Sequence, residues 1–389
     1  MIIKQQYIDR FRQLETPFYF YDLDLLRKTL DVVRTESGKY GYHVHYALKA
    51  NNDPAVLKTI ADTGFGADCV SGNEVAFANR LGIQGNKIAF AGVGKTDKEI
   101  KTALNTDIFS FNCESIPEIK IINEIAGTMG KVAPIAIRIN PNVDAKTHKY
   151  ITTGLNDNKF GINHWDFDEV GRILKALPNI KLTGIHFHIG SQITDIKVFE
   201  ELSLKVNKIQ EWFAEHDFNL KHVNLGGGLG VNYSDPFNNT IPDFAGYFGA
   251  IHHNIQLKPH QQLHCELGRS LVAQCGHLIT KVVFLKKGIT KQFLVVDAGM
   301  NDLIRPALYQ AVHRISSLTS ELPEETYDVV GPICESADVF VKDIKLPAMK
   351  RGDIIAIHSA GAYAQVMAST YNMRDLIKSY NSNEFMTKS

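Results

Sequence analysis

Long apolar runs are missing from this 389-residue sequence. Its first residues, MIIKQQYIDRF, contain no apolar core of a secretion signal, and no later run approaches the roughly 20 residues that span a bilayer. An excess of charge is missing too, because 42 basic residues face 42 acidic ones. The sequence therefore predicts neither a membrane protein nor electrostatic binding to nucleic acid or anionic lipid.

Paired cysteines are also missing. The chain has five, an odd number, and none of them forms a CxxC motif. They are Cys69, Cys113, Cys265, Cys275 and Cys334. This usage is typical of a reducing compartment, where a special cysteine serves reactivity rather than cross-linking. We expect a soluble, cytoplasmic protein.

Short apolar runs alternate with amphipathic segments over the first two thirds of the chain. With 44% hydrophobic and 22% charged residues, the composition is globular, and the length favours two domains. The eight runs are 43–49, 66–70, 87–92, 107–112, 134–140, 183–190, 221–228 and 262–268. They predict an α/β fold, a (β/α)8 TIM-type barrel. A doubly wound sheet is the alternative, because periodicity alone does not close a sheet.

The rhythm changes after about residue 270. The segments VAQCGHLITKVVFLKKG, KQFLVVDAG, TYDVVGP, DVFVKDIKLP and GDIIAIHSAGAY are rich in β-branched and apolar residues. Short turns, rather than helices, join most of them. A second, mainly β-stranded domain follows from this pattern.

Reactive side chains fall at the ends of the predicted strands. Catalytic residues of a (β/α)8 barrel gather at that end, so the pattern predicts an enzyme. These strand-end residues are Lys49, Asp68, Arg138, Asn140, His186, His188, Gly226, Gly227, Gly228, Gly230 and Glu266.

Lys49 lies in YALKANN, at the end of an apolar strand. A desolvated lysine has a lowered pKa and becomes an amine nucleophile for carbonyl compounds. The alternative is a lysine whose ammonium group extends from the strand end into water. Because other reactive residues lie at the neighbouring strand ends, the interpretation of Lys49 as a nucleophile is favoured.

Two glycine-containing segments indicate an anion site. GGGLG (226–230) offers backbone N–H groups to an anion and lets a phosphate approach closely. It is not the GxGxxG pattern of dinucleotide sites. ELGR (266–269) adds a carboxylate, Gly268 and Arg269, which suits a phosphate or carboxylate.

HFHIGS (186–191) places two histidines on one strand face. As metal ligands they would need further His and Asp ligands at other strand ends. Lys49, Gly228 and Glu266 occupy several of those positions. We therefore predict no metal site.

Three segments of the second domain carry further candidates. GPICESAD (331–338) sets Cys334 beside Glu335 in a turn, although a lone cysteine is usually a small buried hydrophobe. AGAYAQ (360–365) presents Tyr363 in a loop of small residues. DAGMNDLIRPALY (297–309) puts Arg305 and Tyr309 one helical turn apart, with a surface helix as the alternative.

Together these segments resemble a known family. YALKANN, GADCVSGNE, HFHIGSQI, NLGGGLG, ELGR, DAGMNDLIRPALY, GPICES and AGAY, in this order, are similar to the fold-type III pyridoxal-phosphate decarboxylases, and most of all to the diaminopimelate decarboxylases among them. The similarity runs from about residue 16 to about residue 375.

The resemblance implies pyridoxal 5'-phosphate as cofactor, held by Lys49 as a Schiff base. It implies that Glu266 pairs with the pyridine nitrogen and that His188 stacks on the ring. The expected cofactor-binding set is Lys49, Asp68, His188, Ser191, Gly227, Gly228, Glu266, Gly268, Arg269 and Tyr363. The expected substrate-binding set is Arg269, Arg305, Tyr309, Glu335 and Tyr363. The expected catalytic set is Lys49, His188, Glu266 and Cys334.

The same resemblance implies an alanine-racemase-like barrel over residues 25–265 and a β domain formed by residues 1–24 and 266–389. It also implies a homodimer in which Cys334 reaches the partner's active site.

The resemblance further implies decarboxylation of meso-2,6-diaminopimelate to L-lysine and CO2, the last step of lysine biosynthesis. Glu266 favours a decarboxylase over a racemase, because it keeps the pyridine nitrogen protonated and the ring a strong electron acceptor. Glu335 and Arg305 offer one partner each to a distal ammonium and a distal carboxylate. The alternatives are another basic or amino-dicarboxylic substrate (lysine, ornithine or carboxynorspermidine) and a non-catalytic cofactor-binding relative.

Overall fold

A computed structural model describes residues 3–143 and 159–385 of the chain. The chain begins with helix α1 (Gln5–Phe11) and strand β1 (Phe18–Tyr21). Strand β1 pairs antiparallel with a later strand, beginning at Gly276, and so joins the N-terminal segment to the second half of the chain.

Eight parallel strands close into a barrel. The strands are β2 (His43–Ala47), β3 (Gly66–Cys69), β4 (Ile88–Phe90), β5 (Ser110–Cys113), β6 (Ala133–Arg138), β7 (Ile180–His186), β8 (His222–Asn224) and β9 (Gln262–Leu267). All eight predicted runs are confirmed as barrel strands, and the doubly wound alternative is wrong, because β9 pairs with β2 and leaves no open edge. Strand β9 reaches Leu267, two residues past the expected domain boundary at 265.

Helices surround the barrel. They are α2 (Leu23–Gly38), α3 (Pro54–Ala61), α4 (Gly72–Arg80), α5 (Asp97–Asn105), α6 (Ile116–Thr128), α7 (Phe167–Ala176), α8 (Lys197–Glu215) and α9 (Phe244–Asn254). Helix α2 precedes the first barrel strand, yet it packs against both α3 and α9. It therefore fills the eighth position of the helical ring.

Local sequence sets where these helices begin. The Asp53 side chain accepts hydrogen bonds from the backbone N–H groups of Ala55 and Val56, with Pro54 in the first turn of α3. At α6, the Ser115 hydroxyl accepts from the backbone N–H of Glu118. Both caps satisfy N–H groups that a helix start leaves without partners.

The second half of the chain forms an eight-stranded sheet that includes β1. Two short helices, α10 (Arg269–Val272) and α11 (Arg305–Tyr309), accompany it. Its strands are β10 (Gly276–Lys287), β11 (Gln292–Val296), β12 (Ile315–Ser317), β13 (Glu324–Val330), β14 (Val339–Pro347), β15 (Ile354–Ile357) and β16 (Ser379–Asn381). The predicted β-rich half is confirmed.

Strand β10 organises this sheet, because its first half pairs with β1 and β15 and its second half with β11. The turn after β15 carries Tyr363, whose backbone N–H donates to the carbonyl of Ala50 at 2.8 Å. This bond docks the sheet domain on the end of β2, next to Lys49. Within the described parts of the chain, no helix has the length and apolar character needed to cross a membrane.

Candidate active site

Polar side chains fill the middle of the barrel, where aliphatic residues are the usual filling. Glu266, on β9, is 5% exposed and stands at the centre. Its Oε1 accepts from the side-chain amides of Asn112 at 3.1 Å and Asn224 at 2.7 Å. Its Oε2 lies 2.9 Å from His186 Nε2. Side chains from three strands thus converge on a carboxylate that a fourth strand carries.

Lys49 and Asp68 form an ion pair above this carboxylate. Lys49 Nζ lies 2.7 Å from Asp68 Oδ2, and its side chain keeps 33% of its surface exposed, whereas that of Asp68 has none. Asp68 Oδ1 is buried without a hydrogen-bond partner among the described residues. We call Lys49, Asp68, His186 and Glu266 the upper cluster.

The pKa of Lys49 is raised, contrary to the lowered pKa expected from the sequence. Burial lowers the pKa of this amine, but the negative charges of Asp68, Tyr363 and Glu266 together raise it by a larger amount. The expectation considered desolvation alone and had no means of placing Asp68 at contact distance. The amine is therefore held charged here, with Asp68 as its counter-ion.

The two carboxylates of the upper cluster differ in pKa. Burial and the neighbouring charge of Glu266 raise the pKa of Asp68 to about 6, although Lys49 opposes the rise. Burial also tends to raise the pKa of Glu266, but His186, by charge and hydrogen bond, and Lys49 bring it below the ordinary value. Glu266 thus remains ionised, and Asp68 is the carboxylate that can take up a proton.

His188 lies beyond the end of β7, with Gly227 N–H 3.4 Å from its Nδ1. Burial, with the nearby charges of Arg138 and Lys49, holds the pKa of His188 well below the ordinary value. A neutral imidazole results, which suits stacking on a flat aromatic ring.

The glycine segment is shaped by close backbone approach. A Cβ at Gly227 would fall 1.8 Å from the carbonyl oxygen of Glu266, and one at Gly228 would fall 2.8 Å from that of Gly190. Gly228 also has a φ of +113°, which favours glycine. Only glycine therefore allows the end of β8 to pack beside β7 and β9. The backbone N–H groups of this segment lie at the barrel rim without side chains to cover them.

Arg269 lies at the start of α10, next to this segment. Its Nε and Nη2 donate to Ser191 Oγ at 3.2 and 3.0 Å, and its Nη1 donates to the Tyr233 hydroxyl at 2.7 Å. Gly268, just before it, lies against β2, since a Cβ there would approach those of Ala50 and Ala47 to 3.0 and 3.1 Å.

Arg305 is the second buried guanidinium of the site. It is 4% exposed, its carbon Cζ lies 4.4 Å from the centre of the Tyr233 ring, and its Nη1 donates to His313 Nε2 at 3.0 Å. Among the described residues, no carboxylate forms an ion pair with Arg269 or Arg305. Two buried cations without an anion indicate a site for an anionic ligand.

Tyr309 and Tyr363 complete this part of the site. Tyr309 ends the same short helix that Arg305 begins. Burial lowers the pKa of Arg305, and the nearby Tyr309 opposes that change only in part. The Arg269 guanidinium lies 4.8 Å from the centre of the Tyr363 ring. The helix containing Arg305 and Tyr309 is thus not a surface helix, because Arg305 is buried.

Cys334 and Glu335 lie apart from these groups. Both are exposed, with Cys334 N–H donating to Asn372 Oδ1 at 3.0 Å and Glu335 Oε1 accepting from the Tyr371 hydroxyl at 2.7 Å. Within the described chain, neither side chain hydrogen-bonds to the barrel rim. The buried alternative for Cys334 is therefore wrong.

The sequence missed several residues that shape the site. Asn112 and Asn224 hold Glu266, and their signal was an amide within an otherwise apolar strand. Tyr233 and His313 contact the arginines, and no motif marked them. Conversely, the predicted strand-end residue Arg138 already has a partner within the protein. Its Nη1 forms an ion pair with Glu114 Oε1 at 2.7 Å, and its guanidinium lies over the Phe160 ring.

The donor set fits pyridoxal phosphate. Lys49 supplies an amine for the aldehyde, and Glu266 supplies a carboxylate anion for the pyridine nitrogen. Ser191, Arg269 and the bare glycine backbone supply donors for a phosphate. Asp68 Oδ1, which has no hydrogen-bond partner among the described residues, leaves a buried acceptor on the carboxylate that pairs with Lys49. In the described residues, no group of three or more His, Cys, Asp or Glu has the arrangement of a metal site.

Comparison with known proteins agrees with this chemistry. A family model described as the pyridoxal binding domain of pyridoxal-dependent decarboxylases matches residues 24–273. Diaminopimelate decarboxylase of Bacteroides thetaiotaomicron is 53% identical over 380 residues, covering 97% of this chain and 98% of the relative. That of Aquifex aeolicus is 41% identical, covering 92% of this chain and 84% of the relative.

A solved structure shows the same architecture. The crystal structure of diaminopimelate decarboxylase from Helicobacter pylori complexed with L-lysine superposes with a TM-score of 0.91 at 41% identity. The superposition covers 96% of this chain and 93% of the other.

Proposed function

Because the chain belongs to the diaminopimelate decarboxylases, a family of pyridoxal-dependent decarboxylases, we propose that it converts meso-2,6-diaminopimelate to L-lysine and CO2. The observation that carries this substrate is the buried guanidinium of Arg305, which has no carboxylate partner in the described chain, whereas Arg269 has the cofactor phosphate to bind. A substrate with a second, distal carboxylate supplies the partner of Arg305. Lysine and ornithine, whose single carboxylate lies at the reacting end, leave Arg305 buried and unpaired.

Pyridoxal phosphate, when bound, supplies an aldehyde and an electron-accepting ring that takes up the electron pair left by CO2. We assign Lys49 Nζ to hold its aldehyde carbon. Asp68 keeps the amine in place and is the acceptor for the proton that the amine must lose. Glu266, fixed by Asn112, Asn224 and His186, holds a proton on the ring nitrogen.

Further residues of the chain hold the ring and phosphate. Neutral His188 covers one face of the ring without adding charge beside it. Ser191 and Arg269 bind the phosphate, together with the backbone of the glycine segment and Gly268. Tyr363 lies against Arg269 and closes this side.

We assign substrate recognition to the arginines and their neighbours. Arg269 and Tyr363 border the reacting end, and Arg305 and Tyr309 bind the distal carboxylate. Glu335 binds the distal ammonium. Cys334 Sγ donates a proton to the carbon that has lost CO2.

We further propose a homodimer in which Cys334 and Glu335 act on the partner subunit's site. In support, both side chains are exposed, and the Glu335 carboxylate accepts from the Tyr371 hydroxyl of its own chain instead of facing its own barrel rim. We place the enzyme in the cytoplasm, supported by five free cysteines. We divide the chain into a barrel, residues 25–265 extended by the end of β9, and a β domain that includes residues 1–24.

A substrate panel tests the proposed function. Release of CO2 from diaminopimelate, lysine, ornithine and arginine is measured with purified protein and pyridoxal phosphate. We expect turnover of diaminopimelate to exceed the others by about 10⁴-fold, because each competitor leaves Arg305 unpaired. A preference for lysine or ornithine contradicts the assignment, and inactivity on all four supports a non-catalytic relative.

Subunit mixing tests the shared site. Homodimers of Lys49→Ala and of Cys334→Ala each lack one essential group in both sites. After exchange, about half of the dimers are mixed, and each mixed dimer has one intact site, so about a quarter of wild-type activity returns. If native mass spectrometry shows mixed dimers and no activity returns, Cys334 acts within its own chain.

A further inference from the structure

Arg305 depends on few protein contacts for its orientation. Its Nε is buried without a hydrogen-bond partner among the described residues, its ring contact is with Tyr233, and its Nη1 donates to His313. A long guanidinium side chain loses rotamer freedom when it is fixed, and a single well-directed hydrogen bond decides which way its fork faces.

His313 is itself fixed in one tautomer. Its Nδ1 lies 2.8 Å from the backbone carbonyl oxygen of His358, which can only accept, so Nδ1 carries the proton. In the neutral ring, Nε2 then presents its lone pair to Arg305 Nη1. Burial and the charge of Arg305 keep the ring neutral by lowering the pKa of His313 to about 3.

Backbone structure anchors this histidine. The backbone N–H of His358 donates to the carbonyl of Arg314 at 2.8 Å, so residues 313 and 314 are tied to the end of β15 from both directions. The Tyr233 ring meets the His313 ring edge-on, with centroids 4.9 Å apart. Tyr233 therefore touches His313, Arg305 and, through its hydroxyl, Arg269.

We propose that His313 is a positioning residue for substrate specificity: through Nε2 it orients the Arg305 guanidinium toward the distal carboxylate of the substrate. The inference rests on the proposed function, which gives Arg305 that carboxylate to bind. His313 contributes by limiting the directions that Arg305 can adopt before substrate arrives.

Two amide variants separate this role from a structural one. In His313→Gln, the amide oxygen lies near the place of Nε2 and can accept from Arg305, but the donor to His358 is lost. In His313→Asn, the amide nitrogen lies near the place of Nδ1 and can donate to His358, but Arg305 loses its acceptor. The two variants thus remove opposite bonds of the same ring.

The expected result is a split between the variants in the KM for diaminopimelate. We expect KM to rise roughly 10- to 100-fold in His313→Asn, the loss typical of a hydrogen bond to a charged group, and less than about threefold in His313→Gln. Inhibition by the product L-lysine, which keeps the distal carboxylate, should weaken in parallel with KM, whereas inhibition by 1,5-diaminopentane, which has no carboxylate, should change less than about threefold in both variants. In an Arg305→Met background, His313→Asn should add no further loss.

Equal KM values in the two variants, or a larger loss in His313→Gln, overturn the inference, as does an equal weakening of inhibition by 1,5-diaminopentane. If His313→Asn does not fold, His313→Phe removes both bonds without burying an amide, and the same KM rise is required of it. Wild-type protein that does not decarboxylate diaminopimelate overturns the proposed function and this inference with it. Wild-type turnover with an unchanged KM in the variants overturns this inference alone.

Discussion

The barrel interior has two polar levels of opposite character, built by the same strands. Strand β9 contributes His264 to the lower level and Glu266 to the upper one, and β8 contributes His222 and Asn224 in the same way. Side chains two positions apart on a strand lie on the same face of the sheet. Both members of each pair therefore point into the barrel, one level apart. The upper level holds charges, whereas the lower level holds neutral rings.

The lower level consists of His45, His222 and His264, which we call the lower cluster. His45 Nε2 lies 2.8 Å from His264 Nδ1, and the Phe109 ring contacts His222 and His264 at centroid distances of 4.5 and 4.7 Å. Burial, reinforced by the repulsion between histidines, lowers the pKa of each of them, that of His222 to about 3.

Glycines make room for the lower cluster. A Cβ at Gly66 would fall 2.4 Å from His45 Nδ1, and one at Gly184 would fall 2.3 Å from His222 Nε2. The upper cluster instead keeps ionised side chains, and that of Lys49 remains 33% exposed. Buried atoms without partners in the described chain occur in both clusters, as at Asp68 Oδ1 and His222 Nε2. The comparison teaches that polar residues within one barrel serve ligand chemistry where they remain charged and accessible.

The largest expected effect comes from Lys49→Arg in the upper cluster. Arginine keeps a positive charge for Asp68 but supplies no amine for the cofactor aldehyde. We expect turnover to fall by roughly 10³-fold or more, while the melting temperature stays close to that of wild type. Borohydride should trap the cofactor of wild-type protein on the peptide containing Lys49. Trapping at another lysine contradicts the assignment.

Arg305→Met probes the substrate side of the active site, outside the two barrel levels. We expect kcat/KM for diaminopimelate to fall by about 10²- to 10³-fold, because a charged hydrogen bond is lost in a dry site. Inhibition by the product L-lysine, which keeps the distal carboxylate, should weaken in parallel, whereas inhibition by 1,5-diaminopentane, which has no carboxylate, should barely change. Exposed Arg314→Met is the matched control and should behave as wild type. Equal losses for diaminopimelate and 1,5-diaminopentane would mean that Arg305 only supports the structure.

Gly184→Ala probes the lower cluster by steric crowding. The added methyl group would meet the His222 ring and, at 2.5 Å, its backbone carbonyl oxygen. We expect the free energy of unfolding to fall by about 1–3 kcal/mol, with unchanged activity per folded molecule. Gly38→Ala, whose Cβ meets no atom within 4 Å, is the control. If Gly184→Ala lost activity but kept wild-type stability, the lower cluster would serve catalysis, and the distinction between a catalytic upper level and a structural lower level would be wrong.

The smallest effect is the pH dependence that His222 contributes. Its folded pKa of about 3 lies below the value of about 6.5 in the unfolded chain, so the unfolded state binds more protons between these values. Its contribution to stability is complete above pH 6.5 and is lost as the pH falls, by about 1.4 kcal/mol per pH unit.

Denaturant unfolding between pH 7.5 and pH 5 measures this slope. His222→Leu should flatten the slope by that amount relative to wild type. Exposed His253→Leu, whose side chain meets water in the folded state too, is the control. Parallel slopes for His222→Leu and wild type would show that the lower cluster takes up no protons on unfolding.

Much of the fold was open to prediction from the sequence. Eight apolar runs predicted eight barrel strands because a strand that is buried on both faces requires a continuous run of apolar residues in the local sequence. Strand-end residues such as Lys49, Asp68 and Glu266 were found together because the ends of parallel strands meet at one edge of a barrel. Motif order identified the family, and with it the cofactor and the reaction.

The tertiary structure decided what depends on distance between residues far apart in the chain. The raised pKa of Lys49 required Asp68 at 2.7 Å, and desolvation alone predicted the wrong direction. Tyr233 and His313 carry no motif, yet they hold Arg305, because aromatic contact and hydrogen-bond direction arise only once separate loops pack together. Local pattern determines which residues are buried; packing decides which buried charges are paired and which remain available to a ligand.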